Sequence, residues 1–244
     1  MYKASSVATV SAFSKQEIIS EYKIKADKID IVGNAAKEIF RPLTNEEKQL
    51  TRNKHTDGKE YFVYAGSIHP RKNLQALLKA FSVFKRRQQS NLKLVLAGRL
   101  AWKYDSFIKD LKTYKYKNDV VITDYLDETE LVNVIGSAYA MVFTSLFEGF
   151  GVPVLEAMQC EIPVITSAGS SMEEISKGAA LLADAKDHED IADKMIRLYK
   201  DEDLRNDLIK KGKLATMEFS WQKTGDLMWE CILKASNSRD KTFS

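Results

Sequence analysis

The 244-residue sequence has little cysteine, little histidine and no long apolar run. Its two cysteines, Cys160 and Cys231, show no metal-ligand spacing and point to a reducing compartment. The three histidines, His55, His69 and His188, do not cluster, so no zinc site is expected. No stretch approaches the roughly 18 apolar residues of a membrane span. Residues 1–13 are rich in Ser and Ala and lack the apolar centre of a signal peptide. An excess of one charge is also missing: 37 Lys and Arg face 34 Asp and Glu, too even a balance for a nucleic-acid surface. Any anion site must therefore come from local placement of charge. What is present, 44% apolar and 29% charged residues, describes a globular chain long enough for one full core and a small appendage. The expectation is a cytoplasmic enzyme or binding domain.

From residue 60 onward, short apolar runs alternate with segments of helical period. Runs at 61–65, 92–97, 120–123, 140–144, 163–166 and 179–182 are expected as strands. Most are continuously apolar, as strands covered on both faces are. Between them Leu74, Leu77, Leu78, Phe81 and Phe84 share one helical face. Tyr104, Phe107, Ile108, Leu111 and Tyr114 share a second, and Ile191, Met195 and Leu198 a third. Helix starts are expected at Ser171, Asp187 and Ser220. This alternation predicts an α/β fold, a Rossmann-like doubly wound parallel sheet.

The first 57 residues do not follow that pattern. They read as a short strand at 7–10, a helix at 15–22, a strand at 29–32, a linker entering a helix at 40–49 and a polar loop at 51–59. A lone βα unit followed by a linker suggests the end of another domain; the alternative is an extra edge unit on the same sheet. The expected boundaries are 1–57 for that end and its linker, 58–219 for the main domain, and 220–244 for a C-terminal helix with a polar tail, disordered from Ser236.

Ligands of open parallel sheets bind beyond the carboxyl ends of the strands. After the first main strand come Gly66, Ser67, Ile68, His69, Pro70, Arg71, Lys72 and Asn73, and then a helix. A glycine turn, adjacent cations and a helix start suit a diphosphate, although the same residues could form a solvated basic turn. Gly98 and Arg99 follow the second strand and read as a turn glycine and a surface charge. The run at 145–156, SLFEGFGVPVLE, follows the fourth strand. Gly149 and Gly151 would allow close backbone approach to a ligand. Pro153 suits a first helical turn, and Glu156 falls in that turn, favourably placed against the helix dipole. Two carboxylates beside a glycine-rich helix start make sense if backbone amides take phosphate while Glu148 and Glu156 accept hydrogen bonds from hydroxyls. A helix cap with incidental acids is the plainer alternative.

This last segment resembles the E-x7-E region of glycosyltransferase family 4, commonly written E-G-F-G-x-x-x-x-E-A-M. GSIHPRKNLQALLKAF at 66–81, LVLAG at 94–98, DYLDETELVNVIGSA at 124–138, CEIPVITS at 160–167 and FSW at 219–221 are similar to further family motifs and occur in family order. SAFSKQEII at 11–19 and KIDIVGNAA at 28–36 resemble the family's end of the first domain and its interdomain crossing. The resemblance covers roughly residues 7–235.

It implies the C-terminal, donor-binding half of a GT-B fold with a short remnant of the first domain. The implied activity is retaining transfer of a hexose from a nucleotide diphosphate sugar to a glycan or lipid-linked acceptor, with no metal or other cofactor. The PRKN form of the phosphate loop resembles mannosyltransferases of bacterial polysaccharide pathways, favouring GDP-mannose over a UDP-sugar. By the same resemblance, the catalytic group is Glu148, on the transferred sugar, with Lys72 and Arg71 on the diphosphate. Gly66 and Ser67, the amides of Gly149, Phe150, Gly151 and Val152, the loop of Asp124, Tyr125 and Leu126 against the base, and Glu156 on the ribose would complete the donor site. Two positions depart from the family: Ser67, where many members carry Arg, and Glu161, where Gly is usual and a left-handed backbone would cost about 1 kcal/mol.

The acceptor half would come from a missing N-terminal domain or a partner chain, so the isolated chain is expected to bind a nucleotide but transfer no sugar. A donor-binding subunit of a split transferase and a non-catalytic nucleotide-sugar module are the alternatives. No nucleic-acid partner is expected, and peripheral contact with the inner membrane face is compatible with the family.

Overall fold

The computed structural model describes residues 4–99 and 105–240. A small unit comes first: β1 (Val7–Thr9), α1 (Ala12–Tyr22) and β2 (Ile29–Ile31), with β1 and β2 paired in parallel. Then follow α2 (Asn45–Thr56), β3 (Tyr61–Ala65), α3 (Leu74–Gln88), β4 (Lys93–Ala97), α4 (Asp105–Thr113), β5 (Val120–Ile122), α5 (Glu128–Gly136) and β6 (Ala140–Phe143). The chain continues through α6 (Val152–Gln159), β7 (Val164–Ser167), α7 (Ser171–Ser176), β8 (Ala180–Ala183), α8 (His188–Lys200), α9 (Glu202–Thr216) and α10 (Trp221–Asp240).

Strands β3 to β8 form one wholly parallel sheet in the order β5-β4-β3-β6-β7-β8. This is the doubly wound α/β arrangement expected from the alternation of apolar runs and helical faces. Its strand order reverses between β3 and β6, and there the connecting helices leave on opposite faces, opening a crevice at the carboxyl ends. Every residue of β3 and β6 is buried, as a central parallel strand requires. The α3 face of Leu74, Leu77, Leu78, Phe81 and Phe84 is buried, as is the α8 face of Ile191, Met195 and Leu198. Each such side chain contributes about 1.5–3 kcal/mol on burial.

β1 and β2 pair only with each other among the described strands, so they are not an edge of the larger sheet. α10 returns to cover them: Lys234 Nζ meets Asp30 at 2.6 Å, and Cys231 Sγ lies 3.3 Å from Ser6 Oγ.

Four expectations need correction or limiting. Of the polar stretch 51–59 only 57–59 is loop, because α2 continues to Thr56. A Thr44–Glu47 capping box starts that helix, and Arg52 and His55 bind Ser137 and Glu130 of neighbouring elements. Polar tertiary contacts hold it, so it shows no apolar period. The cap of α7 is Ser170, one residue before the expected Ser171. The tail from Ser236 is still helical up to Asp240. Tyr104, assigned to a helical face, lies outside the described residues. Glu161 does adopt the left-handed backbone, at φ 57°.

Candidate active site

Two loops meet at the point where the strand order reverses: 66–73 after β3 and 144–151 after β6. They are stitched together at several levels. The Leu146 N–H donates to the Arg71 carbonyl at 3.0 Å. Asn73, in the left-handed conformation at φ 62°, donates from Nδ2 to the carbonyls of Thr144 (3.0 Å) and Ala185 (2.6 Å). The Arg71 guanidinium also donates to the Phe147 carbonyl. A 3-10 turn at Pro70–Lys72 aims both cations at the second loop.

Those cations converge on one carboxylate. Lys72 Nζ lies 2.6 Å from Glu148 Oε1, and Arg71 Nη1 lies 2.9 Å from Oε2. Lys72 also stands 5.2 Å from the centre of the Phe143 ring. The Lys72 and Glu148 side chains retain only 13% and 11% of their exposure, so that pair is substantially removed from water, while Arg71 keeps 43%. Burial works to raise the Glu148 carboxyl, but hydrogen bonds from Lys72 and Arg71 outweigh it and hold it below the ordinary glutamate value. Breaking the pair from one side would leave a buried charge uncompensated. Ser171 Oγ holds the Glu148 carbonyl at 2.8 Å, anchoring the loop to α7.

Glu156 lies on α6 in contrasting surroundings. Its carboxylate has no hydrogen-bond or ion-pair partner among the described residues, and desolvation lifts it to about 7, with Lys37 opposing weakly. The glycines before α6 also differ from one another. Gly151 sits at φ 105°, and an added Cβ would come within 2.6 Å of Met172 Cγ, so both backbone and packing require glycine there. At Gly149 an added Cβ would meet nothing closer than Ser14 Oγ at 3.6 Å. No backbone N–H from Gly149 to Val152 donates to a protein acceptor among the described residues. The Phe150 ring turns away from the crevice mouth, buried against Phe219 at 5.8 Å.

The ends of β3, β4 and β5 lie side by side. The Gly66 N–H donates to the Ala97 carbonyl at 2.8 Å, and Gly98 bridges to Asp124. Gly98 is more than a turn glycine: at φ 155°, an added Cβ would fall 2.0 Å from the Gly66 carbonyl oxygen. Ser67 offers its carbonyl to Tyr64 Oη at 3.0 Å, Asp124 is left-handed at φ 56°, Tyr125 is exposed, and Leu126 packs against the core. Arg99 is exposed, in keeping with a surface charge. Arg71, Lys72 and Glu148 therefore touch one another, while Gly66 and Asp124–Leu126 line up along the adjoining strand ends. Asn73, Ser171, Ser11 and Ser14 bind these loops, a role expected of none of them. Their hydroxyl and amide side chains next to helix starts were the available signal.

With this geometry in hand, comparison with known proteins decides the family. The family model for glycosyl transferases group 1 matches residues 45–215. The chain belongs to that family. It is 29% identical over 217 residues to O-antigen chain mannosyltransferase B of Escherichia coli, covering 88% of this chain and 57% of the relative. It is 30% identical over 223 residues to a D-inositol 3-phosphate glycosyltransferase of Arthrobacter sp. strain FB24, covering 88% of this chain and 52% of the relative. The chain thus spans about half the length of these curated relatives.

Among solved structures, Anabaena Alr3699/HepE in complex with UDP and glucose superposes with a TM-score of 0.83 at 15% identity, covering 93% of this chain and 63% of that one. The C-terminal domain of a Francisella tularensis glycosyl transferase group 1 protein (LpcC) gives 0.66 at 22% identity, covering 76% and 97%. These similarities establish the fold and the family, and no described helix is long and apolar enough to cross a membrane.

Proposed function

We propose that this chain is the donor-nucleotide-binding part of a retaining hexosyltransferase, with a nucleotide diphosphate sugar as donor and mannose as the favoured sugar. The observation that carries the reading is the crevice itself. Arg71 and Lys72 meet Glu148 at the strand-order reversal, where parallel sheets hold nucleotides, and the following amides of Gly149 to Val152 have no protein acceptor among the described residues. The similarity to O-antigen chain mannosyltransferase B of Escherichia coli supports mannose and hence GDP-mannose.

In this reading Lys72, Arg71 and the amides stabilise charge on the departing diphosphate, an electrostatic contribution that needs no metal ion. Glu148 releases the cations to the diphosphate and turns to the sugar hydroxyls. Glu156 accepts the ribose hydroxyls, and Asp124 to Leu126 lie against the base. A glycan or lipid-linked acceptor is held by the half of the relatives' length that this chain does not span, whether on the same polypeptide or a partner. Action on the cytoplasmic face of a membrane fits such an acceptor.

Titration calorimetry with GDP, UDP and ADP tests the reading. Binding of one diphosphate in the micromolar range, GDP first, is expected, together with no sugar transfer by the 244-residue chain alone. No binding of any of the three would refute it.

A further inference from the structure

The carbonyl of Gly149 is gripped by two hydroxyls of the small unit. Ser11 Oγ donates to it at 2.6 Å and Ser14 Oγ at 2.9 Å. Ser11 is 1% exposed and also caps α1, accepting the Ser14 N–H at 3.0 Å, so the helix itself sets its orientation. A second grip holds the same helix start. The two carboxylate oxygens of Glu174 on α7 accept the N–H groups of Ala12 and Phe13, both at 2.9 Å. The Phe13 ring lies 5.7 Å from that of Phe147. The start of α1 is thus fastened to the loop carrying Glu148 and to the helix behind it.

A peptide unit is planar and trans, so the Gly149 carbonyl and the Phe150 N–H point in opposite directions. Fixing the oxygen on α1 aims that N–H away from α1, and it meets no protein acceptor among the described residues. The buried Phe150 ring resists rotation of the same unit from the other end. Two donors on one carbonyl also polarise the amide and strengthen its N–H as a donor.

We propose that Ser11 and Ser14 are positioning residues: they set the Gly149–Phe150 peptide so that the Phe150 N–H donates to the diphosphate of the donor. The proposal rests on the nucleotide-sugar reading of the crevice and adds that α1 takes part in the site through these hydroxyls.

The test uses the whole chain with GDP and guanosine, or with UDP and uridine should UDP bind more tightly to the wild type. Ser14→Ala should weaken diphosphate affinity about three- to tenfold, the loss expected for one neutral hydrogen bond, and Ser11→Ala/Ser14→Ala should weaken it further. Nucleoside affinity should stay unchanged, and Ser14→Thr, which keeps the hydroxyl, should restore the wild-type value. The Phe150 amide resonance should move strongly on diphosphate binding in the wild type and much less in the double variant. Equal losses for nucleoside and diphosphate with a lowered melting temperature, or no loss at all, would overturn the proposal. If Lys72→Ala weakens diphosphate binding while the serine variants do not, the clamp fails and the donor-site reading stands. If the wild type binds no diphosphate, both fall.

Discussion

Glu148, on the loop before α6, is held by Lys72 and Arg71 at 2.6 and 2.9 Å, whereas Glu156, in the helix, has no hydrogen-bonding partner among the described residues. Burial acts on both carboxyls in the same direction, upward. The cations reverse it at Glu148, keeping that group ionised. At Glu156 only a weak pull from Lys37 opposes it, and the group titrates at about 7. The contrast shows how two residues of one type acquire opposite shifts from their surroundings. In the proposed reading, Glu148 keeps two cations in place until a diphosphate takes them. Glu156 is costly to ionise, and in the proposed reading hydroxyl donors satisfy it.

The largest expected effect comes from removing the cation that makes Glu148 unlike Glu156. Lys72→Ala should lower diphosphate affinity about ten- to hundredfold while sparing the nucleoside, since a charge-assisted contact is worth roughly 1.5–3 kcal/mol. Parallel calorimetry with GDP and guanosine checks this, and equal weakening of both would take Lys72 out of the phosphate site.

The next effect appears in stability rather than binding. The folded Glu156 carboxyl titrates at about 7, above its ordinary value of 4.5, so the folded chain holds that proton more tightly than the unfolded one. Between pH 4.5 and 7 this group therefore costs stability as pH rises, at up to about 1.4 kcal/mol per unit. Glu156→Gln removes that cost. Its denaturation midpoint should match the wild type near pH 4.5 and exceed it at pH 8, by up to about 3 kcal/mol in unfolding free energy. A constant difference across the range would mean that Glu156 is not the desolvated acid described here.

A smaller effect is expected at Glu148. Glu148→Gln removes the carboxylate that competes with a diphosphate for Lys72 and Arg71. Affinity for the bare nucleotide should change by no more than a few-fold, toward tighter binding, while the extra affinity contributed by the sugar falls. Comparing GDP with the intact nucleotide sugar measures both changes.

Much of this arrangement is legible before any coordinates. Continuously apolar runs such as YFVYA at 61–65, short and rich in aromatic and β-branched residues, fit strands covered on both faces. Glycines and cations at the strand ends mark the ligand side. The partnership of Glu148 with Lys72 is not legible, because it joins loops after non-consecutive strands that become neighbours only when β3 lies beside β6. Gly98 reads as a turn glycine because a clash with the Gly66 carbonyl arises across strands and not along the chain. The second half of α2 reads as loop for a related reason: its fixings at Arg52 and His55 are polar and distant in sequence. Gly151 reads as a ligand-facing glycine, yet Met172 on α7 requires it as well.

The division of roles between the two carboxylates is tested most directly by calorimetry at pH 8 with GDP and its 2′,3′-dideoxy analogue. If Glu156 receives the ribose hydroxyls, Glu156→Gln should shrink the preference for the ribonucleotide by up to about 1.5–3 kcal/mol, and Glu148→Gln should leave that preference intact. Loss of bare-nucleotide binding in Glu148→Gln, or an unchanged ribose preference in Glu156→Gln, would contradict the assignment.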